Sequence, residues 1–108
     1  MIMKVTTYKN IRFQRKRKAV PGDVITPLRN EIYRPLLVVS ENMVERYMNI
    51  RYLHTIENKD DKVIALDIAG SIVILSHDDY RILKYYKKIQ KQFIAKNPLA
   101  KYFFTGVI

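Results

Sequence analysis

Pro21-Gly22-Asp23-Val24-Ile25, followed by Ile32-Tyr33-Arg34-Pro35-Leu36-Leu37-Val38-Val39-Ser40, is the stretch on which the fold turns. Proline presets φ, glycine tolerates positive φ and aspartate bonds nearby backbone, so Pro21–Asp23 reads as a tight turn releasing the chain into a strand at Val24. The second run is apolar and rich in β-branched residues, and Pro35, lacking a ladder donor, belongs at a strand's entrance or on an edge. Ile32–Ser40 is therefore expected to supply the central strand of the core.

Working outward, Met43–Met48 reads as a short helical turn and Ile50–Ile56 as a further strand. Asn58–Asp61 is a turn, and Val63–Ile68 and Ser71–Leu75 are strands, with Gly70 marking a bulge or bend between them. Upstream, Met3–Phe13 sets Val5, Ile11 and Phe13 in phase against Lys4, Arg12 and Gln14, the pattern of a strand with one wet face. Four cations follow, Arg15-Lys16-Arg17-Lys18, which repel one another and belong in a solvated loop or arm, so firm order is expected from about Val20. Downstream, Ser76, Asp78 and Asp79 look like the capped, acidic start of a helix over about residues 77–96, which Pro98 ends. Its apolar stripe would be Ile82, Leu83, Tyr86, Ile89, Phe93 and Ile94, and its cationic face Arg81, Lys84, Lys87, Lys88 and Lys91. Leu99–Ile108 is too apolar for a solvated tail and is expected to be a last strand or to bury itself in a partner.

Charge along the chain is segregated. Residues 1–18 carry seven Lys or Arg and no acid, residues 81–108 again seven and no acid, and all ten acids lie between Asp23 and Asp79. A mildly acidic body between two cationic segments is suited to a polyanion. The candidate contacts are Lys9, Arg12, Arg15, Lys16, Arg17 and Lys18 on the first segment and Arg81, Lys84, Lys87, Lys88 and Lys91 on the second. Tyr8 and Phe13 beside the first cluster either stack on unpaired bases or belong to the core. With no cysteine and only His54 and His77, thiolate chemistry is excluded and no metal or other cofactor is expected. The apolar runs are short and the N-terminus lacks the layout of a signal peptide, so the expectation is a cytoplasmic protein without a membrane partner.

Gly22-Asp23-Val24-Ile25, Arg34-Pro35 with its aliphatic strand, a strand ending in Thr55, and Ile74-Leu75-Ser76 ahead of a helix together resemble the MazF/PemK/Kid endoribonuclease toxins over about residues 21–95. The resemblance implies an SH3-like barrel with Arg34 and Thr55 in a metal-free RNA-cleaving site, to which His54 adds a proton-transfer group. The Thr26–Tyr33 loop is shorter than in that family, and the basic arm has no counterpart there. KOW-type and other SH3-like nucleic-acid-binding barrels, which need no catalytic residue, are resembled comparably. The fold expectation is thus α+β: a small bent antiparallel sheet or SH3-like barrel with a long C-terminal helix, residues 21–108 forming one domain behind a basic arm of residues 1–20. The functional expectation is an RNA- or DNA-binding accessory protein of a phage, virus or plasmid. Two alternatives stand beside it: an endoribonuclease, and an interaction protein that docks on an acidic partner. A homodimer through the sheet or through residues 99–108 is compatible with any of the three.

Overall fold

A computed structural model of the protein describes residues 12–28, 34–48, 59–98 and 100–101. Five strands, β1 (Val24–Pro27), β2 (Leu36–Val38), β3 (Lys62–Leu66), β4 (Ile72–Ser76) and β5 (Tyr80–Ile82), and two helices, α1 (Glu41–Met48) and α2 (Lys87–Lys96), give an α+β fold. The sheet runs β4-β3-β2-β1-β5, antiparallel throughout, with β2 at its centre and Pro35 at that strand's entrance, as the sequence implies.

The Pro21-Gly22 turn launches the sheet. Asp23 N–H donates to Val20 O at 3.0 Å around Gly22, whose φ of 102° an L side chain resists. Gly22 N–H in turn donates to Val38 O, and Val38 N–H to Asp23 O, both at 2.9 Å, which locks β1 onto β2 from its first residue.

Strands β4 and β5 lie at opposite edges of the sheet yet are joined only by His77–Asp79. In a flat five-stranded sheet the edge strands would stand about 19 Å apart. The connection is a turn in which Asp79 N–H donates to Ser76 O at 2.9 Å, a closure that holds the turn's ends within about 7 Å. The sheet must therefore be strongly bent, and because β4 and β5 do not pair it is not closed.

Both faces of this bent sheet are buried, which explains why Leu36–Val39 is a continuous apolar run rather than an alternating one. One face carries Val24, Leu37, Ile64 and Leu66 and packs with Val44 of α1, Phe93 of α2 and Ala100. The other carries Ile25, Leu36, Val38, Val63, Ala65, Tyr80 and Ile82, together with Ala19.

Several boundaries differ from the sequence expectation. The C-terminal helix begins at Lys87, because Tyr80–Ile82 is strand β5, with Tyr80 and Ile82 buried and Arg81 exposed between them. Ser76 accordingly ends β4, Asp78 and Asp79 belong to the β4–β5 connection, and none of them caps a helix. Helix α2 has no side-chain cap and no acid in its first turn. It ends where expected, at Lys96, with Asn97 N–H donating to Phe93 O at 2.8 Å ahead of Pro98. Gly70 does mark a bend between β3 and β4, the second of the two alternatives expected of it, with φ 92°. Ala100 is buried against the core, and Ala100 and Lys101 are helical where a strand was expected. The expected Ile50–Ile56 strand, and residues 102–108 with their proposed role in dimerisation, lie outside the described residues.

Candidate nucleic-acid interface

The N-terminal segment is docked on the sheet well before Val20. Arg12–Gln14 runs antiparallel along the outer edge of β5: Phe13 bridges Leu83, Gln14 N–H donates to Ile82 O at 2.8 Å, and Lys84 N–H donates to Arg12 O at 2.9 Å. The Gln14 side chain tightens the seam, donating to Leu83 O at 2.9 Å and accepting from Arg17 at 2.8 Å. Two acid-free segments some seventy residues apart in the chain thus become neighbours, and exposed Arg12 and Arg15 lie on the same sheet edge as exposed Arg81 and Lys84.

Arg81 and Lys84 are consequently not on the helix with Lys88. The cationic stripe expected over one helix face is divided, Arg81 and Lys84 joining the arm while Lys87, Lys88 and Lys91 remain exposed on α2. Aromatic rings accompany the first group. The Arg81 guanidinium lies 3.9 Å from the centroid of the Phe13 ring, and Lys84 Nζ lies 5.8 Å from that of Tyr85, a side chain 74% exposed. Tyr85 escaped the sequence reading, although Lys84-Tyr85-Tyr86-Lys87, two aromatics between cations, was its visible signal.

The four-cation run does not act as one unit. Arg17 grips Asp23 with both terminal nitrogens, Nη1 at 2.8 Å and Nη2 at 3.0 Å, and Asp23 Oδ2 also accepts from Val20 N–H at 2.8 Å. Asp23 is almost wholly buried, and its hydrogen bonds hold the Arg17 guanidinium above its ordinary range. Arg17 is therefore a structural clamp. Lys16 meets Asp78 at 3.2 Å and Lys18 Nζ reaches Asp60 O at 3.4 Å, both in solvent. Such exposed contacts contribute little and yield readily to a stronger anion.

Beyond the arm, His77 Nδ1 is bonded to Tyr80 Oη. Tyr80 Oη also accepts from Ala19 N–H at 3.0 Å, so the phenol ties the arm to the β4–β5 turn. Burial pushes the Tyr80 phenol above its ordinary 10.0, the bond from Ala19 pulling the other way. The folded state thus favours the protonated phenol: its contribution is intact below the unfolded value and is lost as pH rises through the folded one. The stability advantage of the wild type over Tyr80→Phe, measured by urea melts, should hold up to about pH 10 and narrow above it.

Arg34 is exposed and stands 3.5 Å from Asp67 at the end of β3. His54 and Thr55, its expected partners in cleavage, and Lys9 of the arm lie outside the described residues, so the structure does not assemble that site. Among the described residues no helix is long and apolar enough to cross a membrane. Comparisons of the chain with protein-family models, with curated proteins and with solved structures returned no match, so its function rests on its own side chains.

Proposed function

We propose that the protein is a nucleic-acid-binding module of the cytoplasm, gripping phosphates along the seam between the arm and β5 and along the outer face of α2. The observation that carries this reading is the pairing of Arg12–Gln14 with Ile82–Lys84, which joins the two acid-free segments into one cationic edge. Arg12, Arg15, Lys16, Lys18, Arg81 and Lys84 supply one row of charge, and Lys87, Lys88 and Lys91 the other. Each phosphate neutralised releases condensed counterions, so affinity falls steeply with salt.

The test is a fluorescence-anisotropy titration with RNA and DNA oligonucleotides at several salt concentrations, the same samples being run on a denaturing gel. Salt-sensitive binding with intact strands supports the proposal. Cut RNA would return attention to Arg34, and absence of binding at low salt would leave an acidic protein as the partner.

Helix α2 offers a sharper check. Lys87 and Lys88 stand in its first turn, where cations oppose the helix dipole. Lys87→Glu should therefore stabilise the fold by about 0.3–1 kcal/mol while weakening oligonucleotide binding. A variant that gains stability in urea melts and keeps full affinity would show that this face is merely solvated.

A further inference from the structure

Two clefts flank the β4–β5 turn, and His77 and Asp78 form the wall they share. The first, about 250 Å³, opens between the docked arm and β5 and is bounded by Leu28, Tyr80, Arg81 and Ile82. Its chemistry is that of a stacking surface: the Arg81 guanidinium lies over the Phe13 ring, and Leu28 is an aliphatic side chain left 48% exposed at the rim. The second, about 360 Å³, is polar throughout, lined by Lys18, Asp61, Lys62 and Ser76, with Lys62 Nζ donating to Ser76 Oγ at 3.1 Å. Counting Lys16, which meets Asp78 at its edge, three cations stand against the two carboxylates Asp61 and Asp78. Between the clefts stands the His77 ring, held in place by its bond to Tyr80 Oη.

An apolar-faced slot sized for one heterocycle, next to a cationic polar cleft, has the layout of a nucleotide, a flat base joined through a sugar to a phosphate. A base stacked and paired inside a duplex cannot enter such a slot, whereas an unpaired base stacks there at little cost. We infer that the β4–β5 turn seats one unstacked nucleotide of a single strand, its base against Leu28 and Arg81 and its phosphate at Lys18 and Lys62, with His77 between them. This rests on the nucleic-acid reading and adds to it a preference for single strands. Charge along the arm and α2 supplies affinity for any phosphate backbone, while the turn discriminates by whether a base is free.

The experiment compares a single-stranded oligonucleotide carrying 2-aminopurine with its duplex, using the full chain and the Leu28→Gln variant. Leu28 is exposed and bears no charge, so the substitution spares both the core and the phosphate contacts. The expected result is single-strand affinity about tenfold above duplex affinity, the worth of one stacked base, with a change in 2-aminopurine fluorescence on binding. Leu28→Gln should abolish most of that preference and leave duplex affinity unchanged. Equal affinity for both forms, or a preference that survives Leu28→Gln, overturns the inference while the phosphate-binding reading stands. No binding of either form at low salt overturns both.

Discussion

An Arg12→Glu, Lys84→Glu double variant is expected to lose at least about 100-fold in affinity for a single-stranded oligonucleotide at about 50 mM salt. Each phosphate contact to a single strand contributes a salt slope of about 0.7, which between about 50 mM and 1 M salt amounts to nearly tenfold per contact. The two residues face the same seam, Arg12 through the carbonyl that accepts from Lys84 N–H. Their main-chain pairing does not depend on either side chain, and both side chains are exposed, so the fold should survive. The salt slope should fall by about 1.4 for the pair. Arg34, exposed beside Asp67, belongs to neither row of charge, and its reversal serves as the control for net charge. If that control weakens binding as much as the double variant does, the seam is not the contact surface.

The largest loss of stability from any of the basic residues should come from Arg17. Arg17→Ala leaves the Asp23 carboxylate buried with, among the described residues, only the Val20 N–H bonded to it. Removing one partner of a fully buried pair costs about 3–5 kcal/mol. Because the Arg17 side chain is itself 41% exposed, the expected cost here is nearer the lower end, about 2–3 kcal/mol after solvent screening. That corresponds to a fall in Tm of about 10–20 °C in a domain of this size. Arg12→Ala and Arg15→Ala, which remove cations from the same segment without a buried partner, should stay within about 0.5 kcal/mol of wild type. A calorimetric scan in which Arg17→Ala melts with those two would mean that the Asp23 clamp carries no weight.

The contrast between Arg17 and its neighbours marks where the sequence could be read and where it could not. The Pro21-Gly22-Asp23 turn, strand β1 and the central strand were legible because their signals are local: a preset φ, a tolerated positive φ and an unbroken apolar run. The start of α2 was not. Ile82 and Leu83 satisfy a helical spacing with Tyr86 and Ile89, and over so few residues a period of two and a period of 3.6 coincide. Strand β1 decided the matter, since its free edge takes Tyr80–Ile82 as a ladder partner. Ser76, Asp78 and Asp79 misled for a related reason, as residues that cap helices also make turns. The cationic composition of the site was legible, but its assembly was not. Nothing local in Arg15-Lys16-Arg17-Lys18 distinguishes the one side chain that faces Asp23, and nothing in either segment announces that Phe13 lies against Leu83.

Strand β5 lies between β1 and the Arg12–Gln14 segment, although it is the last of the described strands to be synthesised. The arm therefore has no edge to dock on until nearly the whole sheet exists, and the closing contacts are of high sequence separation, the kind that form late and slowly. A chain still being translated would carry its first cationic cluster without the second beside it. On this topology, the composite cationic edge is a property of the finished protein alone, and under the proposed function an incomplete copy would meet the RNA crowded around its own ribosome without the full grip.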